Sequence, residues 1–143
     1  MTGARLPSVA IAALCALTAI YLAQARNDAE VLREANQQGL AGRFDAAART
    51  AHGLDRAPAD ARARLVEAHA LEAARRPAAA SDAYARAARR TPNDWVVHRD
   101  WAVLLNRLRD HRAASREIGR ALALNPRMAL PAGFVRGGQA SGG

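Results

Sequence analysis

The chain contains no lysine, a single cysteine and only six aromatic residues, and each of these shortages excludes something. Cys15, being alone, permits neither a disulfide within the chain nor a cysteine-based zinc site. The scarcity of aromatic and β-branched residues disfavours strands. The chain is instead rich in alanine, with 38 alanines. Its 143 residues are enough for one modest domain. Because alanine is the best helix former, the sequence predicts an all-α fold with closely packed helices.

The positive charge of the chain comes from arginine alone. All 21 basic residues are arginine, and the net charge is +8 at pH 7. Nucleic-acid binders usually contact phosphates with both lysine and arginine. Exclusive arginine beside abundant alanine is more simply explained by the codon bias of a GC-rich genome, and acidic residues are interspersed throughout. We therefore expect no nucleic-acid partner, and keep a basic adaptor for nucleic acid or an anionic polymer as the alternative function.

Residues 6–25 carry no charge and are mostly apolar. About 20 such residues suffice for a helix to cross a bilayer, and Tyr21 near the distal end is typical of a membrane interface. The stretch predicts either an uncleaved transmembrane anchor or a signal peptide cut after the small-x-small motif that ends at Ala25. We favour the anchor because no glycine or proline interrupts residues 9–38.

The anchor hypothesis also predicts where the rest of the protein lies. The N-terminal tail, residues 1–5, is very short, so we expect the remaining domain on the extracytoplasmic side, in the periplasm or at the cell surface. Cleavage near Ala25 would instead release a secreted domain.

Three prolines end helix-forming stretches at a constant interval. Pro58, Pro92 and Pro126 are separated by 34 residues in both steps. Proline lacks the backbone N–H that a continuing helix needs, and a period of 20 to 50 residues is typical of stacked repeats. The spacing predicts a repeat domain over residues 26–126. Its units are about residues 28–58, 59–92 and 93–126.

The third unit, NDWVVHRDWAVLLNRLRDHRAASREIGRALALNP, places the large–small pair Trp101-Ala102 in its first helix and Ala114 early in its second. In this pattern it resembles a tetratricopeptide repeat. The resemblance implies a right-handed superhelical stack of helix-turn-helix repeats behind the N-terminal membrane or signal helix. Small residues are needed where paired helices approach, and large ones fill the space between pairs. The packing positions in the three units are Ala35, Ala47, Ala68, Tyr84, Trp101, Ala102, Leu105, Ala114, Ile118 and Ala121.

The first two units follow the pattern with departures. The middle unit has Glu67 where the family has a large apolar residue, and Pro77 in its turn. The first unit carries Gly42 and Phe44 in the turn, but only with a one-residue slip in the alignment. Apart from the resemblance, the same residues predict a plain array of α-helical hairpins.

The resemblance implies a protein-interaction module, since the concave face of such stacks, lined by the first helices, binds peptides or partner helices. We expect a membrane-tethered scaffold in a bacterial envelope complex, with an unidentified protein partner and self-association left open. Of the places that clamp a carboxylate in some family members, Asn36 matches, whereas Leu32 and Val66 do not. The groove candidates are Leu32, Asn36, Leu65, His69, Val96, Arg99, Val103 and Asn106.

Catalytic signatures are absent from the sequence. His52, His69, His98 and His111 are scattered, and His98 follows Asp94 by four residues, which predicts a surface hydrogen bond on one helix face. No glycine-rich loop follows a strand, and no serine or cysteine has an evident histidine partner. We therefore expect no enzyme activity, no catalytic residue, no metal site and no cofactor.

The C-terminal residues 127–143 end in glycines and are predicted to form a flexible tail. Repeat stacks need a cap over their last helix pair, so apolar residues early in the tail are predicted to cover the third unit near Leu122. These residues are Met128, Leu130, Phe134 and Val135. If they do not, this edge is open to a partner or to a second copy of the chain.

Overall fold

The structure is a computed structural model that describes the backbone of residues 6–54 and 59–135, and the side chains of residues 14–54 and 61–135. This part of the chain forms six helices and no strand, so the all-α prediction is confirmed. The helices are α1 Leu6–Leu40, α2 Phe44–His52, α3 Ala59–Ala73, α4 Pro77–Arg90, α5 Trp95–Arg107 and α6 His111–Leu124.

The helices pack in chain order. Each contacts the next, and α1 also contacts α3. The first helix of each pair is thus α1, α3 or α5, an arrangement compatible with helical repeats. Pro92 and Pro126 each lie two residues beyond the end of a helix, α4 and α6 respectively, whereas Pro58 lies outside the described residues.

The turns inside the three pairs repeat the same backbone geometry. In each, an N–H just before the second helix donates to a carbonyl five residues earlier. These bonds run from Arg43 to Gln38, from Arg76 to Leu71 and from Asp110 to Leu105, at 2.8, 2.9 and 3.0 Å. The preceding residue has a positive φ, at Gly42, Arg75 and Arg109. The intervals, 33 and then 34 residues, confirm the one-residue slip of the first unit.

The core is built mainly from alanine. Small side chains let paired helices approach, and close approach fills the interior to the density that folded proteins require. Nine of the ten proposed packing residues are buried. The tenth, Trp101, is half-buried, and its indole N–H donates to Ser81 Oγ at 3.0 Å.

Glu67 is buried although it occupies a position where the tetratricopeptide pattern has a large apolar side chain. Its carboxylate accepts hydrogen bonds from Arg64 at 2.9 Å and from Arg86 at 3.0 Å. Its Oε1 also lies 2.8 Å from His52 Nδ1. A buried charge is tolerated when it is paired and hydrogen-bonded, and this cluster joins α2, α3 and α4.

A second buried pair joins the helices of the third unit. His98 Nδ1 lies 2.8 Å from Glu117 Oε2, and His98 Nε2 lies 3.0 Å from the carbonyl oxygen of Pro92. The predicted contact between His98 and Asp94 is therefore wrong. Asp94 instead caps α5, where its carboxylate accepts the Val96 N–H at 3.0 Å.

The chain after α6 packs back onto the third pair. Met128 and Phe134 are buried, and Leu130 is partly buried, in one cluster with α5 and α6 residues that include Leu122. This confirms the predicted cover for those three residues. Val135 is 52% exposed and does not contribute.

The described start of α1 exposes large apolar side chains. Leu14, Leu17, Ile20, Tyr21 and Leu22 are each more than half exposed. The anchor or signal segment predicted for residues 6–25 lies partly outside the side chains that the structure describes. Within the described part, no helix is both long enough and apolar enough to span a membrane.

Candidate partner-binding groove

Two clefts lie one after the other between α1 and α3, the first helices of two successive pairs. The first has a volume of about 500 Å³ and lies nearer the N-terminal end of α3. Leu32 and Leu65, two of the groove candidates, line it together. Its remaining walls come from α1, α3 and the segment before α5: Ala25, Asp28, Ala29, Ala61, Arg62, Thr91 and Asp94.

The second cleft has a volume of about 370 Å³. It brings together Asn36 and His69, again one residue from each helix, and both side chains are exposed. Phe44, Val66 and several alanines give it an apolar lining. A mostly apolar lining with a few polar groups, as in these two clefts, is typical of binding sites.

The α5 candidates are arranged differently. Val96, Arg99, Val103 and Asn106 line neither of these two clefts. The guanidinium of Arg99 stacks over the ring of Trp95 at 5.1 Å, and Arg99 Nε donates to Asp100 at 2.7 Å. This arginine is therefore already held by its own helix.

The C-terminal segment lies against the distal end of α5. A Cβ added to Gly133 would come within 2.9 Å of Asn106 Nδ2, and Val103 packs against the cluster that contains Met128 and Phe134. The side-chain Oδ1 of Asn106 also lies 2.9 Å from His111 Nδ1. The open part of the groove is thus formed by α1 and α3.

Polar contacts fix α3 against α5 beside the second cleft. His69 Nε2 donates to Asp100 Oδ2 at 3.1 Å, and Arg107 pairs with Glu72. Although burial of Asp100 acts to raise its pKa, the hydrogen bonds from His69 and Arg99 outweigh that effect and lower the pKa below its ordinary value.

Tyr84 supports this contact from α4. Its hydroxyl donates to Glu72 at 3.2 Å, and its ring meets the His69 ring edge to face, with centroids 5.8 Å apart. Burial of the phenol, reinforced by the nearby carboxylates of Glu72 and Asp100, raises the pKa of Tyr84 far above its ordinary value. The tyrosine therefore acts as a neutral hydrogen-bond donor at all physiological pH values.

Asp28 is a groove residue that the sequence reasoning missed. Only 6% of it is exposed, it lines the first cleft, and its Oδ1 has no hydrogen-bond partner within the part of the chain that the structure describes. One signal was available: Asp28 precedes Leu32 by four residues and Ala35 by seven, which is the spacing of one helix face.

A metal centre has no residues to form it in the described part of the chain, where no three His, Cys, Asp or Glu side chains are grouped as ligands.

In comparisons with known proteins, no protein-family profile matches the chain, and no curated protein matches its sequence.

Proposed function

We propose that this protein is a non-catalytic interaction module that holds a peptide or helix of a partner protein in the groove between α1 and α3. The observation that carries the proposal is the pair of consecutive clefts, in which first-helix residues of two successive pairs face each other. An extended or helical segment of a partner contacts such a seam through several side chains in turn.

The proposal includes the repeat architecture. The recurring turn geometry and the ordered packing of the six helices support a tetratricopeptide-like stack in which the first helices line the concave side. A groove of this kind needs no cofactor and no reacting group.

We also propose that residues 6–25 tether the module to a membrane, so that it serves as a scaffold in a bacterial envelope complex with its repeats on the extracytoplasmic side. The uncharged sequence of this segment supports the tether, and so do the exposed apolar residues at the start of α1. Removal of the segment near Ala25 is the alternative.

A photo-cross-linking experiment tests the groove. A photoreactive amino acid is placed at Asn36 or at His69, both exposed in the second cleft, and the full chain is irradiated in native membranes with and without nuclease. Matched control positions are Arg112 and Arg116, which are exposed on α6. We expect a discrete, nuclease-resistant adduct from the cleft positions and none from the controls.

The alternative function, a basic adaptor, predicts the reverse. Exposed arginines of α6 would then give the adducts, nuclease would remove them, and association would weaken steeply with salt because counterions are released on binding. Equal cross-linking from all four positions would contradict the proposed groove.

A further inference from the structure

Three acidic side chains are buried in the described part of the chain, and one of them differs from the others. Glu67 is paired with Arg64 and Arg86. Glu117 is paired with His98 and Arg120. Asp28 is 6% exposed, against 4% for each of the other two, yet its Oδ1 has no hydrogen-bond partner among the described residues.

An unpartnered buried acceptor lowers the stability of the folded chain, because it gives up water without gaining a hydrogen bond. Asp28, which carries this acceptor, lines an open cleft of about 500 Å³. A cationic group that enters the cleft can supply the missing donor, and charged donors form stronger hydrogen bonds than neutral ones.

The rest of the cleft fits a charged group carried on an apolar stem. Asp94 supplies a second carboxylate, of which one oxygen caps α5. Leu32, Leu65 and Ala29 supply apolar surface. The cleft thus presents two carboxylates in a chain whose net charge is +8, so it differs in charge from the molecule as a whole.

We propose that the first cleft is a specificity pocket for an arginine side chain of the partner, with Asp28 as the principal acceptor of its guanidinium. This inference rests on the proposed function, since it names the chemistry that one end of the groove selects. Arginine is favoured over lysine because its planar guanidinium has five donors and can bridge two carboxylates.

Among the described residues that line the cleft, one cation can compete for this place. Arg62 lines the same cleft, and it is exposed. If Arg62 turned inward to satisfy Asp28, the pocket would already be filled, so the experiment has to separate the two occupants.

The test uses the full chain in non-ionic detergent micelles and follows backbone amide resonances during titration. The probe is Nα-acetyl-arginine amide, and its uncharged isostere Nα-acetyl-citrulline amide is the ligand control. We expect saturable shifts at Ala29, Leu65 and Thr91 with the arginine probe, and binding at least tenfold weaker with the citrulline probe.

Two variants with the same change in charge complete the design. Asp28→Asn is expected to weaken binding of the arginine probe at least tenfold. Glu30→Gln, at an exposed position two residues along α1, is expected to leave it within twofold of wild type. Arg62→Ala should change it little.

The proposal is overturned if the arginine probe gives no saturable shift, if the citrulline probe binds as well, or if Asp28→Asn binds normally. Binding that emerges only in Arg62→Ala also overturns it, because the pocket is then filled by the chain itself. Any of these results, combined with continued cross-linking from Asn36 and His69, leaves the proposed groove intact. Loss of that cross-linking while the probe still binds rejects the groove and not the pocket.

Discussion

At the scale of single residues, the turns inside the helix pairs require a left-handed backbone, and they obtain it from different residues. Gly42 provides it without strain, whereas Arg75 and Arg109 have φ angles of 57° and 63°. A side chain in this conformation costs about 1–2 kcal/mol. The two arginines therefore retain an unfavourable conformation that the surrounding turn imposes.

Replacing Arg109 by glycine should remove that strain. Because glycine also loses more backbone entropy on folding, we expect Arg109→Gly to raise the free energy of unfolding by about 0.5–1 kcal/mol, measured by urea denaturation. The matched control is Arg112→Gly in the first turn of α6, an exposed helical position that should lose up to about 1 kcal/mol. If both variants lose stability equally, strain at Arg109 is rejected.

Asp100 gives the protein a predictable dependence on pH. Its pKa is lowered in the folded state by the hydrogen bonds from His69 and Arg99 that overcome burial. A carboxyl with a depressed pKa stabilises the folded chain above its unfolded pKa, about 4, and this stabilisation disappears as the pH falls through the folded pKa.

We therefore expect wild type to be more stable than Asp100→Asn at pH 7, and the difference to shrink steadily as the pH is lowered below about 4. Urea denaturation at a series of pH values measures it. The same substitution at Asp82, which is exposed on α4, is the control and should give a small difference at every pH. A difference for Asp100 that does not vary with pH would reject the electrostatic explanation.

At the scale of whole elements, the C-terminal segment takes the place of a capping helix. Phe134 is 7% exposed in the cluster with α5 and α6, while the adjacent Val135 is 52% exposed. Neighbours in sequence thus differ sharply in burial, so they form a matched pair for measuring what this segment contributes.

Phe134→Ala should destabilise the protein by about 3 kcal/mol, because burial and packing of the ring are lost. Val135→Ala should change stability by less than about 0.5 kcal/mol. Thermal unfolding of both variants decides the point. Similar small shifts in Tm would mean that the segment does not cap the third pair.

The elements themselves were largely predictable, because their signals are local. A proline ends a helix within a few residues of its own position, so the ends of α4 near Pro92 and of α6 near Pro126 follow from sequence. The partners of buried charges did not follow. Glu117 lies 19 residues from His98, and only the packing of the helices decides which charges meet. Asp28 was not predicted either, although its spacing from Leu32 and Ala35 places it on the same face of α1.

At the scale of the molecule, the two ends of the described part of the chain differ in how far their apolar side chains are exposed to solvent. Beyond the start of α1, the three helix pairs bury most of their apolar residues, and the C-terminal segment covers the last pair. The described start of α1 does the opposite, since its large apolar side chains remain exposed. An apolar helix surface of this kind needs another apolar phase to cover it, which is the physical basis of the proposed tether.

The tether can be tested by changing leucines in two places. Replacing Leu14, Leu17 and Leu22 together by arginine should release the chain from the membrane fraction into alkaline carbonate extracts, because each charge at the centre of a bilayer costs about 2.5–3.5 kcal/mol.

Three exposed leucines outside the segment, Leu40, Leu108 and Leu124, are the matched control. Their replacement adds the same charge and should leave the chain in the membrane fraction. Release of both variants would show that charge alone controls partitioning. Intact mass spectrometry of the wild-type chain then separates the two forms of the segment, since an anchor keeps residues 6–25 and a cleaved signal peptide loses them.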